Sequence, residues 1–377
     1  MRKVMSIVGT RPELIKMCRV IALLDQHTQH ILVHTGQNYD PSLNDVFFAD
    51  LEIRPPDHYL GAAGTTAMQT IAEVLLRTDV LLENEKPEAV LIYGDTNSGL
   101  SVIAAKRRKI PVFHMEAGNR CFDQRVPEEL NRKVIDHLSD INMTLTEHAR
   151  RYLISEGLPA ELTFKVGSHM AEVLDHFKPK IMGSDVLTRL ALTEGKFFLV
   201  SSHREENVDS QRNLADLLDS LNGLVAAFDY PVIVSTHPRT RKKLEEMDRR
   251  AVDPKIQFLP PFGFLDYIRL QMGAACVVSD SGTITEESSL LGFPAVTVRQ
   301  AHERPEGMDE GTLVMCGLKR SAVLDSVRFA MSVESKGGET PAARPVGDYI
   351  AGPVSRKVVT IILSYIDYVN RVVWQKG

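Results

Sequence analysis

The chain is poor in cysteine, lacks long hydrophobic runs and carries no excess of basic residues. Its four cysteines lie far apart among 377 residues, with no CxxC pair, which argues against a disulfide scaffold and a cysteine-rich zinc site. The apolar segment at residues 4–8 ends at Gly9 and is too short for a signal-peptide core, and no uncharged apolar run could span a bilayer. The net charge of -5 disfavours a general nucleic-acid binder. We therefore expect a cytoplasmic protein with reduced thiols and no membrane or nucleic-acid partner.

Short apolar runs alternate with longer amphipathic stretches along the whole chain. A length of 377 residues suits two or three domains. Because the predicted strands are apolar throughout rather than alternating, they are typical of parallel sheets covered on both faces. The predicted fold class is therefore α/β, with doubly wound, Rossmann-like domains. The predicted strands are residues 4–8, 30–34, 89–93, 112–115, 141–145, 163–166, 197–201, 232–235, 256–258, 276–278 and 295–298.

The alternation breaks once, where two helical patterns follow each other without a strand between them. We place the domain boundary there, with an N-terminal domain at residues 1–168 and a C-terminal domain at residues 169–356. A surface loop is predicted at 335–346, and an amphipathic helix at about 357–377 is expected to pack back on the first domain. Two such domains facing each other would create a cleft at the carboxyl ends of their strands, where these folds bind ligands.

A glycine turn with cations follows the first predicted strand. Gly9 permits a tight turn, and Pro12 suits the first turn of a helix because its missing N–H needs no partner there. The helix N-terminus together with Arg11 and Lys16 would make an anion site. The alternative is an ordinary strand-to-helix turn with surface cations.

A second turn of small residues, Asp280 to Thr283, opens a helix in the second half of the chain. Backbone N–H groups of Ser281, Gly282 and Thr283 would face a phosphate with no side chain in the way. A carboxylate a turn later, Glu287 or Glu286, could bind ribose hydroxyls. The competing interpretation is a capping box between Thr283 and Glu286.

Carboxylates follow two neighbouring apolar strands of the first half. Asp95 and Glu116 terminate these strands, where a carboxylate is costly unless it is paired or functional. Glu128 and Glu129 open the next helix, and there the helix dipole alone could explain them. Several carboxylates converging on one site favour general acid/base chemistry.

Two histidines follow neighbouring strands of the second half, His203 and His237. Their places at strand ends are compatible with a structural or a functional role. A metal site built from them and a carboxylate is an alternative, but no HxH or HExxH spacing supports it.

The motifs together resemble the non-hydrolysing UDP-N-acetylglucosamine 2-epimerases, in the right order and over nearly the whole chain. That resemblance implies a GT-B-like fold with two Rossmann-like domains and an interdomain active-site cleft, a UDP-sugar substrate, no cofactor or metal, and a homodimer. The matching motifs are GTRPE at 9–13 with Lys16, GDT at 94–96, HMEAGNR at 114–120, PEELNR at 127–132, SHREEN at 202–207, HPR at 237–239 and DSGTITEE at 280–287.

The resemblance also implies residue roles. Proton transfer at the sugar is expected from Asp95, Glu116 and Glu128. Charge on the departing UDP would be stabilised by Arg11, His203 and the Ser281–Gly282–Thr283 amides, and Glu287 would hold the ribose. The residues expected to position substrate or tune the carboxylates are Lys16, Arg132 and His237.

One departure from the family pattern concerns the substrate. Members that act on UDP-GlcNAc usually have a longer loop between the EAG and PEE motifs, and here that loop is residues 119–126. This loop and the C-terminal segment 362–371 resemble the capsule and O-antigen branch, which makes UDP-N-acetyl-L-fucosamine from the L-talo isomer. The alternatives are UDP-GlcNAc, a UDP-L-rhamnosamine derivative, a hydrolysing epimerase, a GT-B glycosyltransferase, or a nucleotide-sugar-binding regulator without turnover.

Overall fold

The strands and helices alternate in a computed structural model that describes residues 1–37, 48–202, 210–236, 252–299, 301, 303–333 and 345–376. The strands are β1 Lys3–Val8, β2 Gln29–His34, β3 His58–Tyr59, β4 Ala89–Tyr93, β5 Val112–Met115, β6 Ile141–Thr144, β7 Thr163–Lys165, β8 Phe198–Ser201, β9 Val232–Ser235, β10 Ile256–Leu259, β11 Cys276–Ser279, β12 Ala295–Thr297 and β13 Val314–Met315. The helices are α1 Arg11–His27, α2 Ala67–Glu85, α3 Val102–Arg107, α4 Pro127–Leu138, α5 Glu147–Ser155, α6 His169–Met182, α7 Val186–Arg189, α8 Gln211–Phe228, α9 Phe264–Gly273, α10 Ile284–Leu291, α11 Pro305–Asp309, α12 Arg320–Val333 and α13 Val354–Val372.

The first unit is built on a parallel sheet in the order β3-β2-β1-β4-β5-β6-β7. Its central strands are fully buried, as their continuous apolar sequences predict. Because the chain runs outward from β1 in one direction and then from β4 in the other, the order reverses between these two strands. At such a reversal the loops beyond the carboxyl ends diverge and leave room for a ligand. The segments after β1, β4 and β5 are therefore the candidate site of this unit.

The second unit repeats the plan, with a parallel sheet in the order β10-β9-β8-β11-β12-β13. The order reverses between β8 and β11, so the segments that follow these two strands hold the corresponding position. Helices α8 and α12 pack together with one face of the sheet in a shared apolar core. The prediction of two doubly wound α/β units with parallel sheets is confirmed.

The sequence pattern does not predict two of the strands, β3 and β13. Each has only two residues and lies at the edge of its sheet. An edge strand of that length needs no apolar run, since it buries little surface, and so the sequence gives no periodic signal for it. The 335–346 loop prediction falls mostly outside the described residues.

The division between the units lies at residues 176 and 177 rather than at 168 and 169. The first unit comprises residues 1–176 and 347–377, and the second comprises residues 177–346. The start of α6 belongs to the first unit because Glu172 accepts hydrogen bonds from the amide and hydroxyl of Ser355 at the start of α13. Helix α13 begins at Val354, three residues before the predicted start, and packs against α1. Within the described ranges no helix is long and apolar enough to span a bilayer.

Candidate active site

The turn after β1 is organised by a buried carboxylate, Glu13. Its Oε2 accepts hydrogen bonds from the amides of Gly9 at 2.5 Å and Thr10 at 3.0 Å, which completes the N-terminal cap of α1. Its Oε1 accepts from the hydroxyl of Thr96 at 2.6 Å. Since Thr96 follows β4, Glu13 ties the turn that carries Arg11 to the turn that carries Asp95.

Gly9 is required by this packing. A Cβ atom there would lie 2.0 Å from Oγ of Ser98 and 2.3 Å from Oγ1 of Thr35, so no side chain fits. These two hydroxyls also bond to each other at 2.6 Å. The glycine therefore allows the ends of β1, β2 and β4 to approach closely.

Glu13 should make the stability of the protein depend on pH. Burial raises its pKa from 4.5 to about 7, against the opposing hydrogen bonds from Thr96, Gly9 and Thr10. A raised pKa in the folded state means that the folded protein holds the proton longer, so stability falls as pH rises from about 4.5 to about 7, by about 3 kcal/mol. Glu13→Gln should remove that loss, and unfolding by urea at pH 5 and pH 8 measures it.

The control is Glu128→Gln, which removes an exposed carboxyl group and should keep the loss of stability between pH 5 and pH 8, because Glu13 is retained. Parallel stability curves for the wild type and Glu13→Gln would contradict the prediction.

Lys16 of α1 forms an ion pair with Glu116, which directly follows β5. Nζ of Lys16 lies 2.6 Å from Oε2 of Glu116, and both side chains are about nine-tenths buried, at 10% and 11% exposure. Asn119 donates to the other oxygen of Glu116 at 3.2 Å. Glu116 has a φ of +62°, in the left-handed region that residues other than glycine rarely adopt. Strain of this kind is typical of residues whose position matters to function.

Arg132 brings the end of β4 together with α4. Its Nε and Nη2 lie 2.8 Å and 2.7 Å from Oδ2 of Asp95, and its Nη1 donates to Oε2 of Glu129 at 2.9 Å. Asn131 donates to the backbone oxygen of Asp95 at 2.9 Å. The structure thus brings together four of the predicted site residues in two ion pairs, Lys16 with Glu116 and Arg132 with Asp95.

The two glutamates that open α4 have different environments. Glu128 is exposed, whereas Glu129 is buried and accepts hydrogen bonds from the amides of Cys121 and Phe122. Burial raises the pKa of Glu129, but the hydrogen bonds from Cys121 and Arg132 and the charge of Arg132 outweigh it and hold that pKa below its ordinary value. Glu129 therefore anchors the 119–126 loop, and Glu128 is exposed to solvent.

In the second unit the turn after β11 is folded on itself. The amide of Ser281 donates to Oγ of Ser279 at 3.0 Å, and the amide of Thr283 donates to Oγ of Ser281 at 3.3 Å. Side chains of the turn already accept from both amides in this structure, and the predicted contact of these amides with a phosphate stays a prediction. The hydroxyls of Ser281 and Thr283 are half-buried at the start of α10.

The capping box between Thr283 and Glu286 is wrong. Thr283 makes no side-chain cap bond and instead donates to Oε1 of Glu287 at 2.7 Å. Gln271 donates to the other oxygen of Glu287 at 2.6 Å, and Arg304 pairs with Glu286 at 2.8 Å. Glu287 is bonded to the 280–283 turn through the hydroxyl of Thr283. His203 and His237 lie outside the described residues.

Known proteins share this architecture along nearly the whole chain. A family model described as UDP-N-acetylglucosamine 2-epimerase matches residues 22–363. The structure of UDP-N-acetylglucosamine 2-epimerase from Rickettsia bellii is 59% identical, with 100% of both chains covered and a TM-score of 0.94. The Methanocaldococcus jannaschii UDP-GlcNAc 2-epimerase in complex with UDP-GlcNAc and UDP is 29% identical over 96% of this chain and 99% of that chain, with a TM-score of 0.87. The UDP-2,3-diacetamido-2,3-dideoxy-D-glucuronate 2-epimerase of Pseudomonas aeruginosa is 33% identical over 93% of this chain and 99% of its own length.

The chain belongs to the UDP-N-acetylglucosamine 2-epimerase family. It is an enzyme of the isomerase class, a UDP-sugar 2-epimerase, and its two parallel-sheet domains have the GT-B-like fold of its solved relatives.

Three residues that organise the first unit of the epimerase are not among the site residues predicted from the sequence. They are Glu13, Glu129 and Asp136. Glu13 had a signal, because Thr10 and Glu13 have capping-box spacing before an apolar helix. Glu129 and Asp136 also had one, since together with Arg132 they recur at helical spacing on the buried face of α4. Polar residues at core-facing positions of an amphipathic helix indicate a buried hydrogen-bonding network.

Proposed function

We propose that the epimerase inverts C2 of a UDP-linked 2-acetamido sugar by eliminating UDP and adding it back. C2 of such a sugar has no adjacent carbonyl group, so its proton is not acidic by itself. When the C1–O bond breaks, its electron pair leaves with UDP, and the cationic character at C1 acidifies the C2–H bond. Loss of that proton to a carboxylate forms a C1=C2 bond in a 2-acetamidoglycal.

The return reaction sets the new configuration. A second acid protonates C2 from the opposite face, and the diphosphate oxygen of UDP adds to C1. The oxidation state of the sugar is conserved over the cycle, so the scheme requires no redox cofactor. Inversion requires at least two acid/base groups, for which we propose Asp95, Glu116 and Glu128.

The two ion pairs at the ends of β4 and β5 carry this proposal. Lys16 holds Glu116 and Arg132 holds Asp95 at hydrogen-bond distance, which fixes two carboxylates on neighbouring strand ends. A cation at this distance orients the carboxylate, and a carboxylate held in place can accept a proton from the substrate. Glu128, exposed in the first turn of α4, is the third carboxylate of the same unit.

For the nucleotide we propose the turn after β11. The hydroxyls of Ser281 and Thr283 and the backbone of Gly282 are proposed to contact the diphosphate, where they would stabilise charge on the departing UDP. Glu287 is held by Thr283 and Gln271 and is proposed to accept from ribose hydroxyls. The other residues proposed to bind the substrate or UDP are Arg11, His203 and His237.

The proposed substrate is UDP-2-acetamido-2,6-dideoxy-L-talose, which would give UDP-N-acetyl-L-fucosamine. The short 119–126 loop supports this proposal. Arg120 and Cys121 are buried at its start, whereas Phe122 is 70% exposed and packs edge-on against Tyr152. An exposed aromatic ring can contact the C6 methyl group of a 6-deoxy sugar, while a C6 hydroxyl would need a hydrogen-bond partner.

UDP-GlcNAc is the second candidate, favoured by the name of the relative that is 59% identical over the full chain. Proton NMR in D2O with each sugar separates the two. The proposal is supported if deuterium enters C2 with UDP still attached at a rate at least about tenfold higher for the L-talo sugar than for UDP-GlcNAc, since a pocket that must satisfy or exclude one hydroxyl discriminates by at least this much. The reverse ratio of rates identifies the UDP-GlcNAc enzyme. Free reducing sugar would show a hydrolysing enzyme, and binding without exchange would show a regulator.

We also propose that the epimerase is a homodimer. Helices α2 and α4 both pack against the segment formed by Asn97–Ser101 and α3, and they leave apolar side chains exposed. These side chains are Met68, Leu76, Val80, Leu130 and Val134, at 71%, 64%, 58%, 54% and 37% exposure. A face of this kind on a folded unit is typical of a protein interface, and in a homodimer the same face meets its own copy.

A charge placed on this face should separate the subunits. Leu76→Asp is expected to shift the protein from dimer to monomer in analytical ultracentrifugation, because it buries an unpaired carboxylate at the interface. Leu363→Asp is the control, since Leu363 is 40% exposed on α13 of the same unit and lies outside this face. A wild-type monomer, or a Leu76→Asp dimer as stable as the wild type, would contradict the proposal.

A further inference from the structure

Beneath the turns that carry Asp95 and Glu116 lies a carboxylate with no solvent exposure, Asp136 of α4. It accepts hydrogen bonds from the amide of Gly118 at 3.2 Å and from Nη1 of Arg120 at 2.7 Å. Nδ1 of His114 lies 2.9 Å from its Oδ1. Three groups from the segment that follows β5 therefore converge on one buried carboxylate.

His114 extends this arrangement to the end of β4. Its Nε2 contacts the backbone oxygen of Gly94 at 2.7 Å, and Gly94 immediately precedes Asp95. The ring thus lies between Asp136 on one side and the turn that carries Asp95 on the other. Nδ1 of the ring faces Asp136 and Nε2 faces the backbone oxygen of Gly94, so the ring contacts both elements.

The backbone around Glu116 depends on this support. Glu116 has a φ of +62° and Gly118 a φ of +82°, and a Cβ atom on Gly118 would lie 2.4 Å from the backbone oxygen of Ala149. A left-handed residue that is not glycine persists only where its surroundings impose the conformation. Asp136 contacts this turn on both sides of Glu116, at His114 and at Gly118.

We propose that Asp136 is a positioning residue of the epimerase, which through His114 and Gly118 holds Glu116 and Asp95 in the geometry needed for proton transfer. This inference rests on the proposed roles of those two carboxylates. Asp136 itself is buried beneath the turns, and its effect passes through His114, Gly118 and Arg120 to the groups that meet the sugar.

The charge of Asp136 fits this role. Burial raises its pKa, but His114 and Arg120 outweigh burial and hold the pKa below its ordinary value. Arg120 is itself buried and also pairs with Glu156 through two hydrogen bonds at 2.8 Å and 2.7 Å. Asn142 donates to the backbone oxygen of Asp136 at 3.0 Å and fixes its place at the end of α4.

The test compares Asp136→Asn with Asp140→Asn in the full chain. Asp140 is a matched control, because it too is a buried carboxylate that accepts a backbone amide of the β5 region, that of Val112 at 2.9 Å, and pairs with a cation, Lys106 at 2.6 Å. It lies at the amino end of β5, away from Glu116. Thermal unfolding reports the structural loss, and C2 deuterium exchange reports kcat and KM.

We expect Asp136→Asn to lower kcat at least about 20-fold with KM changed less than about threefold, since small displacements of reacting groups have effects of this size. Asp140→Asn should keep kcat within about threefold of the wild type, at a comparable loss of melting temperature. Equal kcat in the two variants would overturn the inference. A wild-type enzyme that exchanges no C2 proton with any UDP-sugar would instead refute the proposed function, so the two failures are distinguishable.

Two histidine variants keep the inference testable if Asp136→Asn does not fold. His114→Gln places an amide nitrogen where Nε2 lies and keeps the contact with Gly94, whereas His114→Asn places one where Nδ1 lies and keeps the contact with Asp136. Each variant loses one of the two contacts through which His114 connects Asp136 to the turn that carries Asp95. Each should therefore lower kcat at least about tenfold. Wild-type kcat in both would overturn the inference.

Discussion

Glu116→Gln is expected to abolish C2 exchange while UDP still binds. The substitution keeps the shape of the side chain but removes its basicity, and general acid/base groups contribute about 10²–10⁴-fold to the rate. Lys16 loses its ion-pair partner at 2.6 Å but keeps its place on α1 and its contact with the ring of Tyr93. Deuterium uptake at C2 by NMR measures the loss, and calorimetry with UDP measures the binding, expected within about threefold of the wild type.

Glu85→Gln is the matched control for this variant. Glu85 forms the same type of ion pair, with Lys3 at 2.8 Å, at the amino end of β1 in the same unit. It should leave C2 exchange within about twofold of the wild type, since surface ion pairs contribute little. Near-normal deuterium uptake by Glu116→Gln would remove Glu116 from the proposed mechanism.

Asp95→Asn is expected to have a similarly large effect, about 10²-fold or more on kcat. Asp95 receives two contacts from one guanidinium, and the amide would neither accept a proton from C2 nor balance the charge of Arg132. Arg132 remains paired with Glu129, so the loop after β5 keeps its anchor. The effect should therefore appear in kcat and C2 exchange rather than in UDP affinity or melting temperature.

Asp79→Asn provides the comparison, because Arg108 also contacts Asp79 through two nitrogens, at 2.6 Å and 2.8 Å, on the surface of α2. This variant should exchange C2 protons as the wild type does. If Asp95→Asn behaves like Asp79→Asn, the carboxylate at the end of β4 takes no part in proton transfer.

The glutamates at the start of α4 show where sequence reasoning stops. Both glutamates lie in the first turn of α4, and the sequence assigns them the same favourable interaction with the helix dipole. In the structure Glu129 accepts from two loop amides and is 1% exposed, while Glu128 faces outward. The local sign of which one turns inward is the helical spacing of Glu129 with Arg132 and Asp136. The rotation of α4 on the sheet depends on packing against residues far away in sequence.

The sequence by itself determined the parallel α/β plan, the order of the main strands and the segments that follow them, because continuous apolar strands and helical periodicity are local properties. It also placed Asp95, Glu116, Lys16 and Arg132 after strands or on the helices beside them. Only the tertiary structure decided which of these groups meet, and it placed Asp136 under the strand ends. The reason is physical: ion pairs such as Lys16 with Glu116, one hundred residues apart, form because β1, β4 and β5 lie side by side in one sheet. No local pattern records which partner a buried charge will find.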